Sequence, residues 1–204
     1  VDLLLQKLIN LARKTIVHDR QKTEGIVTVR KYFCEIPDTL EERLCLLRIG
    51  KAKVIHKGHN VITQGGRSAL SRLFGNLGGP TGTNIITLGD GSTITVTTTS
   101  DLFVSKMKFG DPSSVTAEDT KDIALEKIIV GLDKSVSISY PSDAFGKFKI
   151  SSRGTLSTSE GNGSTIKEEG LFLANDVLFA RKTFSGGIVK NSSFALEFEH
   201  TIIF

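Results

Sequence analysis

Alternation dominates the C-terminal part of the chain. From Ser193 onward, Phe194, Leu196, Phe198, His200 and Ile202 fall on one side of an extended strand, and Ala195, Glu197, Glu199 and Thr201 fall on the other. That period of two marks a half-buried β-strand. Ahead of it run three short apolar stretches, Gly170 to Leu173, Val177 to Ala180 and Phe184 to Val189. Asn175-Asp176, Arg181-Lys182 and Lys190-Asn191 punctuate them, which predicts strands joined by turns. An end this apolar, carried to Phe204, is expected inside a sheet, because Phe and Ile in a frayed tail would stay in water.

Helical spacing is confined to the first third. Leu3, Leu4, Leu8, Leu11 and Ala12, with Asp2 as cap, predict an amphipathic helix over residues 3 to 17, widened by Leu5 and Ile9. IVTVRKYF (26–33) predicts a strand. Asp38 or Thr39 ahead of Glu41 and Glu42 is a capping signature for a short helix through residues 44–47, stopped by Gly50. Lys53 to Lys57 and Val61 to Thr63 are strand-like pieces around Gly58-His59-Asn60, and GRSALSRLFG (66–75) predicts a second helix. Beyond it the pattern gives a hairpin over residues 86–99 around Asp90-Gly91 and strands at 103–109, 123–130, 136–140 and 145–151. Arg153-Gly154 and SEGNGS (159–164) supply further turns.

With 20 glycines against 4 prolines in 204 residues, about nine to eleven strands from Ile85 onward are joined by glycine turns. The expected fold is all-β, a jelly-roll-like sandwich or barrel with a few peripheral N-terminal helices. The expected division is a helical arm over residues 1–24 and a β-rich structural domain over 25–204. No apolar run is long enough for a transmembrane helix. The leucines near Val1 follow no basic region and precede no small-residue cleavage site, so no secretory signal is expected. Val1 in place of an initiator methionine leaves room for upstream residues.

The formal charge of +4 is uneven: residues 1–60 carry the basic excess, and the remainder is nearly balanced. The cations, among them Lys7, Arg13, Lys14, Arg20, Lys22, Arg30 and Lys31, are dispersed and have only Tyr32 and Phe33 as aromatic neighbours. A solvated face is expected there, not a nucleic-acid surface. Cys34 and Cys45 have no zinc-like spacing and are expected to be buried free thiols, the alternative being a disulfide between them that nothing in the sequence requires.

Catalytic signatures are sparse. His56 and His59 lie three apart and could hold a metal only with a carboxylate from elsewhere. Asp111, Glu118 and Asp119 in FGDPSSVTAEDT could ligate calcium but lack EF-hand order. Gly65-Gly66-Arg67 lacks phosphate-loop spacing and reads as a turn with glycine at positive φ. No serine-hydrolase elbow is present. With no Trp and only Tyr32 and Tyr140, sugar-stacking platforms are poorly supplied, whereas 12 phenylalanines suit cores and permanent interfaces.

Three stretches taken together carry a resemblance: GHNVITQGGRSALSRLFG (58–75), MKFGDPSSVTAEDTKDIALEK (107–127) and EEGLFLANDVLFARKTFSGGIVKNSSFALEFEHTIIF (168–204). In order and spacing they resemble a recurring type of tailed-bacteriophage virion protein. The matching elements are Asn60, Gly66-Arg67, Phe109-Gly110, Asp119-Thr120, Leu125-Glu126, Glu168, Gly170 to Phe172, Leu178 to Arg181, Phe184, Lys190 and Ile202 to Phe204. The chain departs from the type in its hairpin at 86–99 and its basic, helix-forming start.

The resemblance implies a non-enzymatic structural subunit of the particle, in a tail, baseplate, fibre-base, neck or capsid-accessory position. Arg67, Phe109, Leu171, Phe172, Phe179, Arg181, Phe184, Lys190, Phe198 and Phe204 would then be structural or interface residues. Other virion proteins and further copies of the chain would be its partners. No cofactor, metal, nucleic acid or membrane is expected, and its place would be the virion after synthesis in the bacterial host cytoplasm. The alternatives are a carbohydrate- or host-surface-binding β-sandwich of a phage tail, and an enzyme domain.

Overall fold

The computed structural model describes residues 24–74, 85–140 and 149–203. The predicted helix over 3–17 and Phe204 lie outside them. The described chain is mostly β, as its alternation predicts: a nearly closed barrel of antiparallel strands, with two α-helices.

The elements follow in the order β1 (Glu24–Tyr32), α1 (Leu40–Arg48), β2 (Ala52–Ile62), α2 (Gln64–Phe74), β3 (Ile85–Thr87) and β4 (Thr93–Thr95). A short 3₁₀ turn (Thr99–Leu102) leads to β5 (Val104–Gly110), β6 (Lys134–Ser135), β7 (Ser137–Ser139), β8 (Lys149–Leu156), β9 (Thr165–Leu173), β10 (Leu178–Val189) and β11 (Ala195–Ile203). The large sheet runs β6-β5-β9-β10-β2-β1-β11-β8-β7, and β3 with β4 forms a separate hairpin. The last strand therefore sits between β1 and β8 and is hydrogen-bonded on both sides. The barrel closes where β8 approaches β5 and β6. At that seam a Cβ on Gly154 would stand 2.9 Å from Met107 Sδ.

The interior is apolar and aromatic. Val27, Val29, Met107, Phe109, Leu156, Leu171, Phe179, Phe184, Leu196, Phe198 and Ile202 are buried in one cluster. Phe198 packs with its ring centroid 4.8 Å from Phe109 and 6.1 Å from Phe184. The predicted facing of β11 holds, since Leu196, Phe198, His200 and Ile202 all turn inward. Its opposite face is not open to water at the start, because Tyr32, Ala52 and Ala195 form a second cluster against Leu46 and Leu47 of α1.

Thr39 caps α1 through its hydroxyl, which accepts from Glu42 N–H, and Gly50 at φ 74° ends it. In α2, Gly65 and Gly66 lie inside the first helical turn and not in a positive-φ turn as the sequence suggested. They are needed for close approach, because a Cβ on Gly66 would stand 2.2 Å from Phe179 O.

Other expectations need correction. Residues 123–130 form no strand. They make one bridge, Gly110 to Ile128, and Leu125 packs down onto Phe172 and Leu178. The two pieces around Gly58 are one continuous strand, β2, because its ladder with β1 runs through Gly58, opposite Val27. Arg181-Lys182 is not a turn, and β10 runs through it. Its register against β9 shifts before this pair, between Leu178 and Ala180, and again after it, where Gly186 and Gly187 are both at positive φ. Cys34 and Cys45 are exposed free thiols, one beyond the end of β1 and the other on α1, which packs through Leu46 and Leu47.

Candidate functional site

Seven of the motif residues, Gly110, Leu125, Glu126, Glu168, Phe172, Leu178 and Arg181, converge on one place, the outer face of β5, β9 and β10 beneath the segment 111–133. Alternation along β9 sends Glu168 and Glu169 to opposite faces. Glu168, fully buried, accepts from Arg181 Nε at 3.0 Å and Arg181 Nη2 at 2.8 Å through Oε2, and from Lys127 N–H at 3.0 Å through Oε1. Arg181 also reaches Asp122 at 2.9 Å and Glu126 at 2.8 Å. One guanidinium thus gathers three carboxylates, two of them on the covering segment, in the fork geometry only arginine supplies.

The surroundings fit this clasp. A Cβ on Gly110 would stand 2.3 Å from Glu168 Oε1, so glycine leaves room for the carboxylate. Leu125, Phe172 and Leu178 form a small apolar cluster beside it. Burial alone would lower the Arg181 pKa, but the hydrogen bonds to Asp122, Glu126 and Glu168 outweigh it and raise the value. Glu126 is pulled down to about 2, first by the Thr116 hydroxyl and N–H and then by Arg181. Further along, Glu118 accepts from Lys182 Nζ at 2.7 Å and Thr183 N–H at 2.8 Å, where β10 parts from β9.

Glu169 faces inward and pairs with His200 of β11, whose Nε2 donates to Oε1. Asn60 of β2 donates from Nδ2 to His200 Nδ1 at 2.9 Å. With the amide donating to Nδ1, the imidazole proton sits on Nε2. All three side chains are buried, and Asn60 Oδ1, Glu169 Oε2 and His56 Nε2 have no protein partner. Gly25 makes this arrangement fit, since a Cβ there would stand 1.8 Å from Asn60 Oδ1.

A third cluster lies under α1. Glu197, on the outer face of β11 and 2% exposed, faces Arg30 at 2.7 Å, Arg43 at 3.5 Å and Arg153 at 3.5 Å. Burial and the Glu197 charge push the Tyr32 hydroxyl up to about 12.

The remaining predicted residues spread over the barrel. Phe109, Leu171, Phe179, Phe184 and Phe198 belong to the main core, and Phe172 belongs to the clasp. Arg67 donates from Nε to Ile62 O at 3.2 Å. Lys190 ties the 157–164 turn to the start of β11, donating to Asn162 Oδ1 at 3.0 Å and Asn191 O at 2.8 Å, with its Nζ 5.2 Å from the Phe194 ring centroid. Phe204 lies outside the described residues.

His56 and His59 cannot share a metal, because they lie on opposite faces of β2. His56 meets the Phe184 ring at 5.1 Å, and His59 is exposed. Asp111 pairs with Lys167 at 3.0 Å, Glu118 is held by Lys182, and Asp119 accepts from Lys121 N–H, so the three acids do not converge. Among the described residues no group of three or more metal-ligating side chains comes together.

Sequence reasoning missed Glu169, His200 and Glu197 as network members. The available signal was a polar residue on the apolar side of a strand, at His200, and two adjacent acids inside an apolar run, at Glu168-Glu169. No helix among the described residues is long and apolar enough to cross a membrane. No family model, no curated protein and no solved structure matches the chain.

Proposed function

We propose that the chain is a non-enzymatic structural subunit of a tailed-bacteriophage virion, working through protein–protein contact. The observation that carries the contact reading is an apolar outer surface on and beside α1. Leu40 is 63% exposed and Ile49 61% exposed, with Leu44 and Phe33 exposed nearby. Those side chains cost free energy in water and recover it against a partner of similar character. The buried charged groups support the same reading, since each is engaged inside the fold: Arg181 with Glu168, His200 with Glu169, and Glu197 with Arg30, Arg43 and Arg153. Assignment to a phage particle rests on the order and spacing of the three motif stretches.

Two measurements test it. Leu44→Glu combined with Ile49→Lys is expected to leave the melting temperature unchanged and to abolish concentration-dependent association in sedimentation velocity. Immunogold labelling of particles from the strain that encodes the chain is expected to mark the virion. Label absent from purified particles, or specific binding of the isolated domain to bacterial cells or glycans, would overturn the assembly reading.

A further inference from the structure

One end of the barrel holds an open apolar cavity of about 400 Å³. Leu70 and Leu73 of α2, Phe103 before β5, Ile138 of β7, Tyr140 and Ile202 of β11 line it. Phe103, Ile138 and Tyr140 are exposed at its rim, although their neighbours Leu102 and Phe179 are buried. Ile138 and Phe103 are large apolar side chains left half in water where a core could continue.

Residue 24 enters the fold at this same end. Glu24 pairs with Ile203, and Gly25 pairs with the cavity-lining Ile202. Residues 1–23 lie outside the described part, and their sequence predicts an amphipathic helix over 3–17 whose apolar face carries Leu4, Leu5, Leu8 and Leu11, with Lys7, Arg13 and Lys14 off that face. The six residues from 18 to 23 can span up to about 20 Å, enough to bring such a helix back over the mouth of the cavity. The sequences 75–84 and 141–148 offer only one leucine and two phenylalanines and no helical stripe.

We propose that the cavity is the docking site for the leucine stripe of the chain's own N-terminal segment, with its basic face turned outward. Lys7, Arg13 and Lys14 would then be presented at the barrel end to an acidic surface, while the leucines complete the core. This inference is independent of the assembly reading, since it concerns contacts within one chain.

Disulfide trapping in the full chain tests it. In a Cys34→Ser, Cys45→Ser background, Ile138→Cys is combined in turn with Leu4→Cys, Leu8→Cys and Leu11→Cys. At least one pair is expected to form an intramolecular disulfide under mild oxidation, and none is expected when the partner site is instead Val130→Cys. Trapping only between chains would show that a second copy fills the cavity, and no trapping at any pair would remove the helix from it; either result overturns the proposal. A second readout uses the apolar dye 8-anilinonaphthalene-1-sulfonate. Deleting residues 1–20 is expected to raise its fluorescence several-fold, and Ile138→Asp in the shortened chain to reverse the rise. Unchanged fluorescence on deletion would overturn the proposal as well.

Discussion

His200 of β11 donates its Nε2 proton to Glu169 of β9 across the interior of the barrel, between strands four places apart in the sheet. The bond links opposite walls that share no backbone ladder. Asn60, from a third strand, fixes which ring nitrogen carries the proton.

Breaking this pair should cost more than replacing it. Glu169→Leu and His200→Leu are each expected to lower unfolding free energy by about 3 kcal/mol, because each strands a buried polar partner. The double substitution should cost clearly less than the sum. Urea titration of the four proteins checks the coupling, and additive losses would contradict it.

Arg181→Met should release the segment 111–133. Glu168 would remain buried without its cation, a loss of about 3 to 5 kcal/mol. Limited proteolysis should then cut within 111–133 before the barrel strands. Cleavage first in another region would argue against the clasp.

Acid should weaken the same clasp. Glu126 is held at about 2 in the folded protein against an ordinary value of 4.5. Its contribution is therefore complete above pH 4.5 and is lost as pH falls through 4.5 towards 2, where the unfolded chain takes up the proton first. Glu126→Gln should flatten the stability profile in that window relative to the parent. Equal slopes in the two profiles would contradict the assignment.

Deleting residues 193–204 should unfold the domain. The deletion removes Phe194, Leu196, Phe198 and Ile202 from the core and leaves β1 and β8 without their shared neighbour. A milder version is Phe198→Ala, expected to cost about 3 to 5 kcal/mol. Circular dichroism and protease resistance report both, and a compact, resistant truncation product would contradict the central place of β11.

Local chemistry determined much of this protein from the sequence alone. The inward set Leu196, Phe198, His200 and Ile202 follows from the period of two, and the ends of α1 follow from the Thr39 hydroxyl and the positive φ available to Gly50. The all-β character followed in the same way, from many short apolar runs punctuated by glycine. Tertiary structure decided what covers each face. Periodicity assigns Glu168 and Glu169 to opposite sides, but only the strand order brings Arg181 to one and His200 to the other. Glu197 lies on the side that alternation marks as polar, yet it is buried because α1 folds over it and supplies Arg43. Residues 123–130 have the composition of a strand and form none, because the Glu168 carboxylate takes the Lys127 N–H and Arg181 binds the segment through Asp122 and Glu126. Such partners lie far apart in sequence, and side-chain period carries no information about which distant groups the closing sheet will bring into contact.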